Sequence, residues 1–262
     1  MLEILKNKGW EILALNYADV ISENEFPDQI KSICSILDNW SLEIENHIIK
    51  RGGGQADQTI EITQEFNKQN WLTNDITIEN KITFENTFID RISTSTTHKI
   101  DHFAQGNNDK LLAIEIEWNN KDEFFDRDFQ AMRRLYEAHV IELGIIITRG
   151  PELETYLEKM IENYFIREKI NEFSDFDKLS RRILGGDGEE RFSFPTTRQK
   201  KGIEKKVKNG ESFESASASV FKNDKFGGAT TNWRQLTKRV ERKDAGRTPM
   251  LLLGMPNIIV NN

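Results

Sequence analysis

The stretch "KIDHFAQGNNDKLLAIEIEWNN", residues 99–120, decides the reading of this chain. Gln105-Gly106-Asn107-Asn108-Asp109 is a dense set of turn formers, so two strands are expected on either side of it. The second strand runs Leu111-Leu112-Ala113-Ile114 straight into Glu115-Ile116-Glu117. Side chains on a strand alternate with period two, which puts Glu115 and Glu117 on one face. Asp101, on the neighbouring strand, can reach that same face. Three clustered carboxylates repel one another and lose hydration if buried unpaired. Two readings follow from the residues alone. The acids line an exposed strand face and pair with Lys or Arg, or they converge on a hard divalent cation. Mg²⁺ takes oxygen ligands and keeps several waters, and it can activate a water against a phosphoryl group.

Outward from this stretch, "ITIENKITFENTFIDRI" (76–92) alternates apolar and polar residues and predicts further strands. "DEFFDRDFQAMRRLYEAHV" (122–140) reads as an amphipathic helix, "LGIIITRG" (143–150) as a buried strand, and "ELETYLEKMIENYFIREKI" (152–170) as another helix. Residues 1 to about 70 read as helical: "DQIKSICSILDNWSLEIENHII" stops at Arg51-Gly52-Gly53-Gly54, and "ADQTIEITQEFNKQNW" resumes. Residues 185–230 read as loop-rich and basic, and "MLLLGM" (250–255) as a last core strand. The sum is an α/β fold, a central mixed sheet sandwiched by helices, followed by a basic, loop-rich C-terminal part. One domain over 1–262 is expected, with a helical part to 75, a core over 76–185 and the basic part with the last strand over 186–262.

Charge is unevenly spread. Of 36 Lys+Arg and 43 Asp+Glu, residues 191–250 hold 15 and 6, a local net of +9 against −16 elsewhere. This asymmetry suits a face that approaches an anion, DNA or RNA first, although a Lys-rich stretch can also be a solvated face. Cys34 stands alone, so neither an intrachain disulfide nor a four-cysteine/histidine zinc site is expected. The N-terminal residues are too charged for a signal peptide and no apolar run reaches membrane-span length, so an intracellular, soluble protein is expected. His98 and His102 flank Asp101 and read as hydrogen-bonding residues, since two histidines without a third ligand make no zinc site.

"THKIDHF", "LLAIEIEWNNKDEFFDRDF" and "LGIIITRG", in that order, resemble the catalytic segment of the BamHI/BglII/BstYI group of type II restriction endonucleases, a branch of the PD-(D/E)xK nucleases. "IIKRGGGQADQTIEITQEFNKQNW" fits the N-terminal half of that family, and "GGATTNWRQLTKRVERKDAGRTPMLLLGM" its C-terminal part. Ile100 stands where many relatives have proline, Glu117 where the motif usually has lysine, Asn232 where histidine is usual, and Arg247-Thr248 where Gly-Cys is usual. A glutamate at the position of Glu117 is shared with BamHI-type enzymes. Residues 196–225 look like an insertion.

The resemblance implies a restriction-endonuclease-like fold and Mg²⁺-dependent cleavage of double-stranded DNA at a short palindrome, with sites built around GATC as the family default. It implies Asp101 and Glu115 as metal ligands, and Glu117 as general base or as ligand to a further metal. Glu79 or Glu85 is a candidate to join them. Two symmetric strands call for a twofold homodimer in a prokaryotic cytoplasm. Candidate DNA contacts are Asn119, Asn120, Lys121 and Arg127 after the catalytic strand, where Asn120 or Asp122 can equally cap a helix. Arg51 with its glycines suits a phosphate loop or a plain helix end. Thr230, Thr231, Asn232 and Arg234 complete the set. A DNA-binding protein with structural carboxylates, and a repair nuclease without sequence specificity, are the competing readings.

Overall fold

The structure is a computed structural model that describes residues 1–50, 56–83, 90–96, 99–184 and 188–261. Its strands are β1 (Glu11–Leu15), β2 (Leu42–Glu43), β3 (Leu72–Asn74), β4 (Thr77–Thr83), β5 (Asp90–Thr96), β6 (Ile100–Gln105), β7 (Leu111–Glu117), β8 (Leu143–Arg149), β9 (Met250–Met255) and β10 (Val260–Asn261). The helices are α1 (Glu3–Asn7), α2 (Ala18–Glu25), α3 (Pro27–Asn39), α4 (Asp57–Lys68), α5 (Phe124–Glu137), α6 (Pro151–Arg167), α7 (Phe176–Arg182), α8 (Thr197–Lys208), α9 (Phe213–Lys225) and α10 (Trp233–Glu241).

Six strands form one sheet in the order β1-β9-β8-β7-β6-β3. The central β7, β8 and β9 run parallel, and β1, β6 and β3 are antiparallel to their neighbours. The parallel strands are buried on both faces, which is why "LGIIITR" and "MLLLGM" read as unbroken apolar runs. Their alternate residues feed two cores. Ile114, Ile145, Ile147 and Leu251 join the larger one, under α6 with Leu157, Ile161 and Phe165. Ala113, Ile146 and Leu252 join the smaller one, under α5 with Phe125, Phe129, Met132 and Leu135, and under Leu236 of α10. Helices therefore cover both faces of a mixed sheet, the architecture expected from the sequence. Among the described residues β4 and β5 pair only with each other, as a two-stranded antiparallel sheet.

Three local expectations change. Residues 11–15, read as helical, are the edge strand β1, paired residue for residue with β9. That pairing spans most of the chain, and a short apolar run such as "EILAL" fits strand and helix equally until its partner is known. The helix over 28–49 breaks at Trp40. β2 follows, then a single wide turn over Ile44–Ile49 closed by the Lys50 N–H donating to Glu45 O at 2.8 Å. The segment 185–230, read as loop-rich, holds α8 and α9. Thr196 and Gln199 form a reciprocal cap at the start of α8, with the Thr196 N–H donating to Gln199 Oε1 at 2.6 Å. Ser212 Oγ accepts from the Ser215 N–H at 3.2 Å to start α9. α9 packs on α6, and it buries Ala216, Ser217, Ala218 and Ser219, a run of small residues that hydropathy alone does not mark. Among the described residues no helix is long and apolar enough to cross a membrane.

Candidate active site

The exit of β7 positions the acids. β6 pairs with β7 through His102↔Ile114 and Phe103↔Ala113, so Asp101 lies beside Glu115 on the face that α5 covers. Asp101 Oδ2 accepts the Ile116 N–H at 2.9 Å, and its carboxyl also hydrogen-bonds that of Glu115. Glu115 and Glu117 are 1% and 2% exposed. A fourth carboxyl, Asp128 on α5, is fully buried and hydrogen-bonds Glu117. Arg127 bridges the last two: its Nη2 lies 3.2 Å from Glu117 Oε1 and 2.9 Å from Asp128 Oδ1, with Nε 3.0 Å from the same Asp128 oxygen. Asn120 Nδ2 donates to Glu117 Oε2 at 2.6 Å. Thr148 Oγ1 donates to the Glu117 carbonyl at 2.7 Å, tying the end of β7 to β8.

Burial and mutual repulsion raise the pKa values of this group together. Glu115 is held well above the usual carboxylate range, first by burial and then by the charges of Asp128 and Asp101. Burial, reinforced by Asp128, pushes Glu117 up to about 9 against the opposing Asn120 and Arg127. Burial raises Asp128 to about 6 although Arg127 pulls the other way. Asp101 is raised by burial and restrained by the Ile116 N–H. Four carboxyls whose ionisation is opposed by burial and by one another are ill suited to holding a fold together and well suited to an oxygen-seeking cation.

The raised Glu117 fixes the sign of a pH effect. Below its ordinary 4.5 the folded and unfolded chains both carry the proton. Between there and about 9 the unfolded chain gives it up first, so this group's contribution to stability is lost as pH rises through that window. Glutamine cannot ionise. In thermal melts without metal, Glu117→Gln should gain on the wild type steadily from pH 5 to pH 9. A gap that stays constant with pH would mean that Glu117 ionises as freely in the fold as out of it.

The expected ligands Asp101 and Glu115 are thus brought together, with Glu117 two residues on and facing the same helix. Among the described residues no three acidic, histidine or cysteine side chains stand in positions that enclose an ion as they are. The donor chemistry still fits a hard divalent cation, because Asp101, Glu115, Glu117 and Asp128 all offer carboxylate oxygens. Glu79 sits on exposed β4 opposite Thr94 and does not join them. Glu85, His98 and Arg51 lie outside the described residues. His102 points to the other face and stacks on Phe66 at 4.5 Å. Burial takes its pKa down to about 4, and its ring nitrogens have no hydrogen-bond partner among the described residues, unlike the hydrogen-bonding role expected of it.

The proposed DNA contacts divide. Lys121 and Arg234 are exposed. Asn119 is half-buried, and Asn120 and Arg127 turn toward Glu117. Thr231 and Asn232 are buried and spend their polar atoms inside the protein. Thr231 exchanges hydrogen bonds with Asn120, the Thr231 N–H to Asn120 O at 2.8 Å and the Asn120 N–H to Thr231 Oγ1 at 3.1 Å. Asn232 caps α10 by accepting the Gln235 N–H at 3.1 Å. Beneath them lies Arg149, fully buried, donating to Thr231 O and Thr230 Oγ1 at 2.7 Å each and pairing with Glu154 at 3.3 Å.

Asp128 and Arg149 were not among the residues singled out from the sequence. Asp128 had a signal: it falls on the stripe Phe125, Phe129, Met132, Leu135 that α5 buries, where an acid is out of place. Arg149 had a weaker one, a lone cation closing an apolar strand.

No curated protein matches the chain. A family model described as restriction endonuclease BglII/BglIII matches residues 10–255, a span that takes in β1, the carboxylate face, α8, α9 and β9. The chain belongs to the BglII/BglIII family of restriction endonucleases.

Proposed function

We propose that this restriction endonuclease is Mg²⁺-dependent and cuts both strands of a short palindromic DNA site of the GATC-containing kind, working as a twofold homodimer in a prokaryotic cytoplasm. The observation that carries the reading is the set of four carboxyls gathered at the exit of β7, three of them almost fully buried, in a family whose substrate is DNA. Asp101 and Glu115 would hold the cation. When bound, it supplies Lewis-acid polarisation of the scissile phosphate and a more acidic water.

The chain's own residues do the rest. Glu117 in its ionised form, which a nearby cation would favour, takes the proton of the attacking water, and Asn120 holds its Oε2 in place while Oε1 faces Arg127. Water adds at phosphorus, one P–O ester bond breaks, and the leaving oxygen is protonated from solvent. Lys121 and Arg234 provide exposed cations for the DNA backbone and Asn119 an amide for base edges, while Asn120 stays on Glu117. Thr230, Thr231 and Asn232 support that surface from below.

Unmethylated phage DNA incubated with and without Mg²⁺ tests this. Discrete fragments that require Mg²⁺ are expected, and their sequenced ends give the site. A smear would overturn sequence specificity, and intact DNA that shifts on a gel would overturn catalysis.

A further inference from the structure

Without a metal ion, the carboxylate face is already served by a cation of its own. Arg127 is the guanidinium whose charge reaches all of Asp101, Glu115, Glu117 and Asp128. It touches two of them, with Nη2 shared between Glu117 at 3.2 Å and Asp128 at 2.9 Å. Its guanidinium carbon lies over the ring of Phe124, 4.4 Å from the ring centre. The two acids are locked: their side chains are 3% and 0% exposed. The arginine is not, at 40% exposed on the first turn of α5. A guanidinium held this way can leave toward solvent by rotating its own side chain, without opening the core that Phe125 and Phe129 form beneath it.

We propose that Arg127 is the resident counter-ion of the carboxylate cluster and opposes the divalent cation at Asp101 and Glu115, through its charge beside them and its hold on their neighbours Glu117 and Asp128. The proposal rests on the reading that this cluster takes such an ion. A site emptied of metal would otherwise leave several buried carboxylates facing one another, and Arg127 lowers that repulsion until the ion arrives. The same competition makes the ion work against the arginine, so the wild type binds metal more weakly than its donor set allows. Once displaced, the guanidinium is free for a DNA phosphate, to which its planar fork is equally matched.

The test uses Mg²⁺ alone, without DNA, titrated calorimetrically into the full chain as wild type, Arg127→Met and Arg127→Lys, each checked by a thermal melt. Arg127→Met keeps the stem and removes the charge, and should bind Mg²⁺ at least about tenfold more tightly. Arg127→Lys keeps the charge without the fork and should fall between, at about threefold tighter. Equal or weaker Mg²⁺ affinity in both variants overturns the proposal, since an arginine that merely scaffolds the acids would loosen the site when removed. Should Arg127→Met fail to fold, the direction of the Arg127→Lys change decides alone. Wild-type cleavage that requires Mg²⁺, together with unchanged affinities in the variants, would sink the competition and leave the proposed function standing. A wild type that neither binds Mg²⁺ nor cleaves with it would sink both.

Discussion

Glu115→Gln should lower single-turnover cleavage by at least about 10³-fold while leaving the protein folded and able to bind DNA. Removing a partner that only orients a metal ligand typically costs about 10- to 100-fold, and Glu115 is proposed as a ligand itself. The stability arm of the prediction runs the other way. Glu115 is 1% exposed, its pKa is driven up by burial and by Asp128 and Asp101, and glutamine removes that repulsion at nearly constant shape. The variant should therefore melt at or above the wild type without metal. The two readouts together separate a functional acid from a structural one. Cleavage within tenfold of wild type, or a melt well below it, would show that Glu115 serves the fold and would return the carboxylate face to the reading in which its acids simply pair with bases.

Asp101, Glu115 and Glu117 were legible because strand periodicity is local. Two residues of spacing fix a common face, and a run of turn formers places the neighbouring strand. The central sheet was legible for the same reason: "LGIIITR" and "MLLLGM" are too apolar to lie anywhere but between helices. Asp128 required a second step, from helix phase to the packing of α5 on β7, and only the burial of Phe125 and Phe129 carries out that step. β1 could not be read at all without β9, some 240 residues away by the pairing of Glu11 with Gly254. Nor could the ties between Asn120 and Thr231, since neither segment has a period that announces the other. Composition misled over 185–230, where Gly, Ser and Lys suggest a loop while the Thr196/Gln199 cap and the Ala/Ser run make two helices.

Those ties give the second large effect, which falls on Arg149. Arg149→Met should destabilise the protein by about 3–5 kcal/mol, read as a lower urea midpoint with an unchanged slope. Methionine fills the stem and removes the cost of burying a guanidinium, a burial that pulls the Arg149 pKa down to about 10. Replacing a whole buried ion pair in this way can be neutral, but here only one partner goes. The Thr231 carbonyl loses two hydrogen bonds and Thr230 Oγ1 loses its charged donor, while Glu154 keeps Lys222 at 3.0 Å. The lost donors therefore dominate, because the buried Thr231 oxygen has no water to turn to. Cleavage should fall further than DNA affinity, since Thr231 holds Asn120 and Asn120 holds Glu117. Arg239 offers a parallel stitch between the same parts, donating to the Asp122 carbonyl at 2.9 Å and to Asp126 at 2.8 Å. A loss of less than about 1 kcal/mol in Arg149→Met would mean that Arg239 alone suffices to hold the C-terminal segment against the catalytic strand.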